Sequence, residues 1–404
     1  MVDKNGGGSV HGFVVLAGAM LHAVGNLIVE DCPGSNVVSR GLALLVCVSK
    51  NDRAEPLFRA VAALVPGAMQ LGRITPSKAT KLLGAITSIS PNMAQTRSDM
   101  EFSPAVALAA QRLTEQKISS LRGVTHVLQW GAMYAPVRDA RTISYSIVTD
   151  GPFDPDDASY PVEWKPRRWA AEYFARQRTI YREATLVFAL SEWARRKLLA
   201  LHDLEPQRVV RIGWGPMFDA APSQPGDDSA APKKLFVSIG NEWQRKGMDL
   251  VARAGARLHA EDGEVQAVVT GDPEGLTLEP AAGVTLLPRR LSLDEVESLL
   301  RSARALIVAS RFDASPHIIV EALQLGVPVI GSDVCGIPEA VQPPIGGLTV
   351  PQGSDDELVE AMRSILAGDV STQRDDALRA YAAMGGWPAV ASRVVDALRS
   401  NGVL

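Results

Sequence analysis

Ala309-Ser310-Arg311-Phe312-Asp313-Ala314-Ser315-Pro316-His317-Ile318-Ile319-Val320-Glu321-Ala322 is the stretch whose reading decides the fold. The apolar run 305–308 ahead of it reads as a buried strand, and Ser315-Pro316 reads as the N-cap and first residue of a helix over 316–325. A strand that passes at once into a helix N-terminus presents backbone N–H donors to an anion. His317 and Glu321, four residues apart, share one helical face, and Asp313 sits on the loop before it, so one ligand can meet both carboxylates. Carboxylates accept hydrogen bonds from sugar and ribose hydroxyls, and a helix N-terminus receives phosphate. Taken singly, Glu321 reads more readily as a solvated or salt-bridged helix carboxylate.

Outward from this stretch, strands at 235–239, 265–270, 284–287, 305–308 and 328–331 interleave with helices at 248–259, 293–301 and 316–325. That is the spacing of a doubly wound open sheet, with binding expected at the carboxyl ends of its strands. Helices over 355–367 and 387–398 finish the chain. The first half alternates too, with helices near 8–27, 56–64 and 104–121 and strands at 42–48, 126–129 and 144–148, which predicts a second parallel sheet covered on both faces. A charged helix over 166–183 leads into a strand at 185–190, and Ser191 caps a helix through Leu201 with Glu192 in its first turn. From Trp214 to Lys234 a run rich in Pro, Gly and Asp cannot hold either element. The expected organisation is a first domain over 1–215, a linker over 216–233, a second domain over 234–384 and a terminal helix, 385–404, packing back toward the first domain.

A chain of 404 residues, 46% apolar and 21% charged, can bury two cores. Its net charge of -4, with no basic run interleaved with aromatics, argues against a nucleic-acid partner. Cys32, Cys47 and Cys335 form no CxxC pair and have no His at ligand spacing, so they read as reduced core thiols rather than a disulfide scaffold or zinc site. The uncharged stretch 5–29 resembles a signal peptide or membrane span, but His11, His22, Asn26 and frequent Gly interrupt it. A buried helix opening after Gly6-Gly7-Gly8 is the preferred reading.

Further loops follow predicted strands. In Gly240-Asn241-Glu242-Trp243-Gln244-Arg245-Lys246-Gly247, two adjacent cations and flanking glycines suit a diphosphate; alone, the loop reads as well as a basic surface turn. It matches no Walker loop, and the chain has no GxGxxG, which speaks against nucleotide hydrolysis and dinucleotide binding. Thr270-Gly271-Asp272-Pro273-Glu274-Gly275 is a turn near a site. Asp150-Gly151-Pro152-Phe153 reads as an acceptor or donor-sugar contact or as a simple turn. No Asp-x-Asp pair stands at a strand end, and Asp154, Asp156 and Asp157 read as solvated loop residues, so no metal is expected. Trp164, Arg167 and Trp169 fit a core or solvated face better than an acceptor or membrane-surface patch, and His126 reads as structural.

Together, Asp313 to Glu321, Gly326-Val327-Pro328-Val329-Ile330 and Asp333-Val334-Cys335-Gly336-Ile337-Pro338-Glu339 resemble the donor-site segment of the retaining glycosyltransferase family four. Arg245-Lys246-Gly247 matches its phosphate-binding position, and Ala189-Leu190-Ser191-Glu192-Trp193 the segment closing its first domain. The resemblance implies a GT-B fold, two Rossmann-like doubly wound domains facing across a cleft, and retaining transfer of a hexose from a nucleoside-diphosphate sugar to a glycan, lipid-linked or small-molecule acceptor hydroxyl. It places Lys246, with Arg245, on the donor diphosphate, Glu321 on the ribose and Asp313, one methylene shorter than the usual Glu, on the sugar. Gly240, Asn241, Gly271, Arg289, Ser315, Pro316 and His317 complete the donor set, His317 offering a further donor; Asn241 stands where many relatives carry Arg. Gly7, Gly8 and Asp150 are the acceptor-side candidates, although the strand expected ahead of the glycines is missing from the sequence. The family needs no cofactor or metal, and a cytoplasmic location with peripheral contact at the inner membrane surface is expected. A retaining phosphorylase, an epimerase and a catalytically silent nucleotide-sugar-binding or scaffold protein are the rival readings.

Overall fold

The computed structural model describes residues 41–46, 54–90, 93–157, 167–217, 223, 234–271 and 281–404, all within one compact unit, Val38–Leu404. The helix expected over 8–27, Gly7, Gly8, Cys32, Cys47, Trp164, the loop from Asp272 to Gly275 and most of the proposed linker lie outside the described residues.

The first half is a parallel sheet in the order β2-β1-β3-β4-β5-β6. Its strands are β1 (Gly41–Val46), β2 (Met69–Arg73), β3 (Val124–Trp130), β4 (Ser144–Thr149), β5 (Val187–Ala189) and β6 (Val209–Arg211). Helices α1 (Ala54–Leu64), α2 (Lys78–Thr87), α3 (Met93–Phe102), α4 (Pro104–Ser119), α5 (Ala170–Glu183) and α6 (Glu192–His202) connect them. Ser191 caps α6 as expected, its hydroxyl accepting from the Ala194 N–H at 2.9 Å. The helix expected from 166 begins later, at Ala170, because 167–169 form a turn.

The second half is another parallel sheet, in the order β12-β11-β10-β7-β8-β9. It comprises β7 (Leu235–Ser238), β8 (Gln266–Thr270), β9 (Val284–Leu287), β10 (Ala305–Val308), β11 (Val329–Ser332) and β12 (Gly347–Val350). Helices α7 (Met248–Glu261), α8 (Leu293–Arg301), α9 (His317–Gln324), α10 (Ile337–Val341), α11 (Asp355–Ala367), α12 (Val370–Met384) and α13 (Gly386–Ser400) follow. Counting from β7, this is the doubly wound order 3-2-1-4-5-6, whose direction of winding reverses between β7 and β10. A ligand crevice is dictated at the carboxyl ends of those two strands, where the loops 239–247 and 309–316 emerge.

Helix α13 buries Val390, Ala391, Val394 and Leu398 and packs on α1, whose Leu57 and Val61 belong to the same core. Each such side chain contributes at most about 1.5–3 kcal/mol when fully buried. Arg393 fastens the helix further by donating to the carbonyls of Ile212 and Met384. The last helix of the chain thereby packs on the first sheet's layer.

His126 on β3 is buried between Ser144 Oγ, 2.7 Å from Nδ1, and Ser146 Oγ, 3.0 Å from Nε2. Burial pushes its imidazole from 6.5 down to about 4. The folded form therefore resists a proton that the unfolded chain accepts, so stability is intact above pH 6.5 and falls as the pH drops toward 4. By pH 5 this one residue is expected to cost about 2 kcal/mol. Urea midpoints at pH 7 and pH 5 check it: His126→Gln should shrink the difference between them, and an unchanged difference would contradict it.

Candidate functional site

The loop after β7 and the loop after β10 are joined along their length. The Arg311 N–H donates to the Arg245 carbonyl at 2.7 Å, its guanidinium to the Gln244 carbonyl, and Arg245 Nη1 to the Phe312 carbonyl at 2.8 Å. Lys246 Nζ donates to Asp313 Oδ2 at 2.5 Å, and both side chains are mostly buried. Gly247 is what allows the approach: its φ is +67°, and a Cβ there would stand 2.0 Å from the Ala309 carbonyl oxygen. Thr270 at the end of β8 joins the cluster, its hydroxyl accepting from the Gly240 N–H at 3.1 Å. Gly271, at φ +117°, lies so close that a Cβ would meet the Gly240 carbonyl oxygen at 2.5 Å. Lys246, Asp313, Gly240 and Gly271 are thus brought to one crevice at the winding reversal.

Arg245, expected on the diphosphate, is paired within its own loop. Its guanidinium grips the Glu242 carboxylate at 2.6 and 3.0 Å, so it braces the loop rather than presenting its charge outward. Asn241 is exposed beside it. Arg289, expected among the donor contacts, follows β9 and is held by the Glu295 carboxylate at 2.5 and 3.0 Å. Glu295 also closes the capping box of Ser292 at the start of α8, and these bonds, Arg289 first, pull its carboxyl down to about 2.

The start of α9 also differs from expectation. Pro316, not Ser315, occupies the N-cap position, and no side chain caps the helix. Tertiary bonding wins over the local cap: Ser315 Oγ lies 3.1 Å from His317 Nε2, while His317 Nδ1 lies 2.9 Å from the Gly215 carbonyl and so donates to it. Both ring nitrogens of His317, expected among the donor contacts, take part in this chain of bonds. Glu321, one turn on along the same face, is 4% exposed rather than solvated, and its Oε1 accepts from the Met217 N–H at 3.1 Å. Between them, the Pro216 carbonyl accepts from Trp387 Nε1 at 2.6 Å. Three successive residues of the crossing between the sheets, Gly215, Pro216 and Met217, are therefore held by α9 and α13.

Asp150 and Gly151 follow β4 at its carboxyl end, as expected. Gly151 has φ +158°, and a Cβ there would touch the Trp193 ring at 3.0 Å. Trp193 in turn meets Phe312 edge-on at 5.8 Å, which carries the first sheet's loop face to the donor-side loop. Asp154 and Asp157 are not solvated: both accept from Lys197 Nζ at 2.9 Å. Among the described residues no cluster of His, Cys, Asp or Glu could hold a metal. Cys335 is unbridged, and burial pushes its thiol up to about 12.

Sequence reasoning missed the role of Glu339. Its carboxylate accepts from the Glu192 and Trp193 N–H groups at 2.7 and 2.8 Å, closing the N-terminus of α6 from the other sheet's domain, and Arg211 stands 3.3 Å away. The pattern Ser191-Glu192-Trp193 announced a helix start, but nothing local announced a second carboxylate arriving from 147 residues away. A cavity of about 260 Å³ lies against this contact, between Arg211, Trp214, Glu339 and Arg393 rather than beside Lys246.

Two parallel doubly wound sheets with a phosphate-suited loop pair at the winding reversal define the GT-B class, and solved structures agree. Sucrose-phosphate synthase from Thermosynechococcus elongatus superposes with a TM-score of 0.65 at 16% identity, covering 89% of this chain and 98% of that one. HepE from Anabaena, in complex with UDP-glucose, gives 0.60 at 15% identity, covering 89% and 99%. At such identities the likeness speaks to the fold alone. Residues 233–368 match the family of glycosyl transferases group 1, so this GT-B chain carries a group 1 glycosyltransferase domain. Curated relatives include D-inositol 3-phosphate glycosyltransferases from Mycolicibacterium gilvum, 27% identical over 47% of this chain and 46% of the relative, and from Kribbella flavida, 27% identical over 50% and 54%. The chain spans about half the length of these relatives.

Proposed function

We propose that the protein transfers a hexose from a nucleoside-diphosphate sugar to an acceptor hydroxyl with retention at the anomeric carbon. The observation that carries this reading is the buried Lys246–Asp313 pair set at the winding reversal of a group 1 domain. In this reading Lys246 neutralises the departing diphosphate, the large electrostatic contribution in such chemistry, and Asp313 turns to the donor sugar hydroxyls as its partner does so. Glu321, already buried as an acceptor, takes the ribose hydroxyls in place of the Met217 N–H. The protein needs no metal for this, since a lysine supplies the positive charge. The location stays cytoplasmic in this proposal, and the neighbours' UDP and UDP-glucose make uridine nucleotides the first donors to try.

A second reading, nucleotide-sugar binding without turnover, is favoured by one fact: Arg245, Lys246 and Glu321 all have partners inside the protein, so a donor must displace them. A panel of nucleotide sugars, each tested for a rise in melting temperature and for hydrolysis or transfer, D-inositol 3-phosphate being among the acceptors, decides between the two. Transfer is expected, and lost in Glu321→Ala; a thermal shift without turnover would establish the silent reading, and no response to any donor would exclude both.

A further inference from the structure

The cavity of about 260 Å³ beside Glu339 collects more positive charge than the fold neutralises. Its walls come from both halves of the chain: Arg211 and Trp214 from the end of β6 and the crossing after it, Glu339 and Gln342 from α10 and its C-cap, Met384 from the end of α12 and Arg393 from α13. Among the described residues no carboxylate lies within ion-pair distance of Arg393, whose bonds go to the Ile212 and Met384 carbonyls. The Glu339 carboxylate stands 3.3 Å from Arg211, but its two oxygens already accept from the Glu192 and Trp193 N–H groups at 2.7 and 2.8 Å. Two guanidiniums therefore share one carboxylate whose oxygens are engaged elsewhere. Burial, and after it the neighbouring Arg211 guanidinium, hold the Arg393 pKa below its usual value, as expected of like charges that meet with too little negative charge between them. A partly buried charge without a counter-charge is costly, and planar guanidinium forks match the oxygens of a phosphate. At roughly 30 Å³ per water, the cavity has room for about eight waters, which is more than a bare phosphate fills and suits a phosphate carried on a small polyol or sugar. The Trp214 ring and the Met384 side chain supply apolar surface for the carbon skeleton.

We infer that this cavity is a second ligand site, in which Arg211 and Arg393 hold the phosphate monoester of a small sugar or polyol. The site goes beyond the transferase reading and stands apart from the crevice at Lys246, so it can fail while that reading holds. Because Arg211 ends the first sheet while α10 and α12 belong to the second half, the occupant touches both halves and steadies their placement. Calorimetric titration of the full chain at constant ionic strength, without donor or acceptor, tests it with glucose 6-phosphate, inorganic phosphate and glucose. Glucose 6-phosphate is expected to bind, inorganic phosphate to bind about tenfold more weakly, and glucose not to bind. Arg211→Gln and Arg393→Lys should each weaken glucose 6-phosphate binding by about tenfold or more, the second because a lysine keeps the charge and loses the fork. Glucose binding as tightly as its phosphate, no binding of the phosphate ester, or wild-type affinity in Arg211→Gln would overturn the inference, and inorganic phosphate binding equally well would overturn the monoester as occupant. Arg211→Gln, which removes a half-exposed cation, keeps the test decisive even if Arg393→Lys loosens α13.

Discussion

Lys246→Ala is expected to abolish the donor-dependent rise in melting temperature, cut kcat/KM by about 10²–10³, and destabilise the protein by about 3–5 kcal/mol at once. The two losses have different origins. Lys246 and Asp313 are both mostly buried and paired at 2.5 Å, so removing the ammonium takes the counter-charge from a buried carboxylate that keeps the Ser315 N–H at 3.3 Å. In the proposed reading the catalytic loss comes from the diphosphate losing its lysine, while Arg245 is braced by Glu242 and Arg289 by Glu295. A second substitution separates the effects: adding Asp313→Asn should restore most of the stability and none of the activity. Urea unfolding and steady-state kinetics on the two variants read both quantities. Stability restored together with donor binding would mean that Lys246 is only a structural partner of Asp313.

Much of this site was visible as residue types in the right loops, and little of it as pairs. Strands 284–287 and 305–308 and helix 293–301 have in the structure the bounds expected of them, because short apolar runs and the Ser292 to Glu295 capping box are local signals. Other elements escaped. Edge strand β2, Met-Gln-Leu-Gly-Arg, buries only Leu71, and β12 opens on Gly347, so neither shows an apolar run. Helix α2 buries only Thr80 and Gly84, so no apolar stripe of it faces a core. In the crevice, Lys246 and Asp313 could be placed on facing loops by the resemblance, but their ion pair spans 67 residues and the bond from Met217 to Glu321 spans 104. Periodicity carries no information at such separations. The Ser315 cap failed for the same reason: His317, tied to Gly215 102 residues away, claims its hydroxyl. The Ser315 cap and the role of Glu339 are misread where the two halves of the chain meet.

Glu339 sits at that meeting, and Glu339→Ala is expected to cost about 2–4 kcal/mol and to lower kcat/KM even though the residue lies away from Lys246. Its carboxylate makes two charge-assisted bonds to the first-turn amides of α6, at 2.7 and 2.8 Å, where the helix dipole also favours an anion. Bonds of this kind contribute about 1.5–3 kcal/mol each, and their loss leaves both N–H groups without that acceptor. Because the carboxylate belongs to the second sheet's domain and the amides to the first, the bond fixes how Trp193 meets Phe312, and hence how the Asp150 loop faces the donor loops. Glu339→Gln keeps one acceptor oxygen and the shape, so it should recover about half of the stability. Arg211→Ala, which removes only the half-exposed cation at 3.3 Å, should cost less than about 1 kcal/mol. Chemical unfolding ranks the three variants, and small-angle scattering with and without nucleotide reports any change in the placement of the two sheets. If Glu339→Ala matched the wild type in stability and in its scattering change, the carboxylate would be a bystander, and the relative placement of the two sheets would rest on the Gly215 to Met217 crossing and on α13 packed against α1.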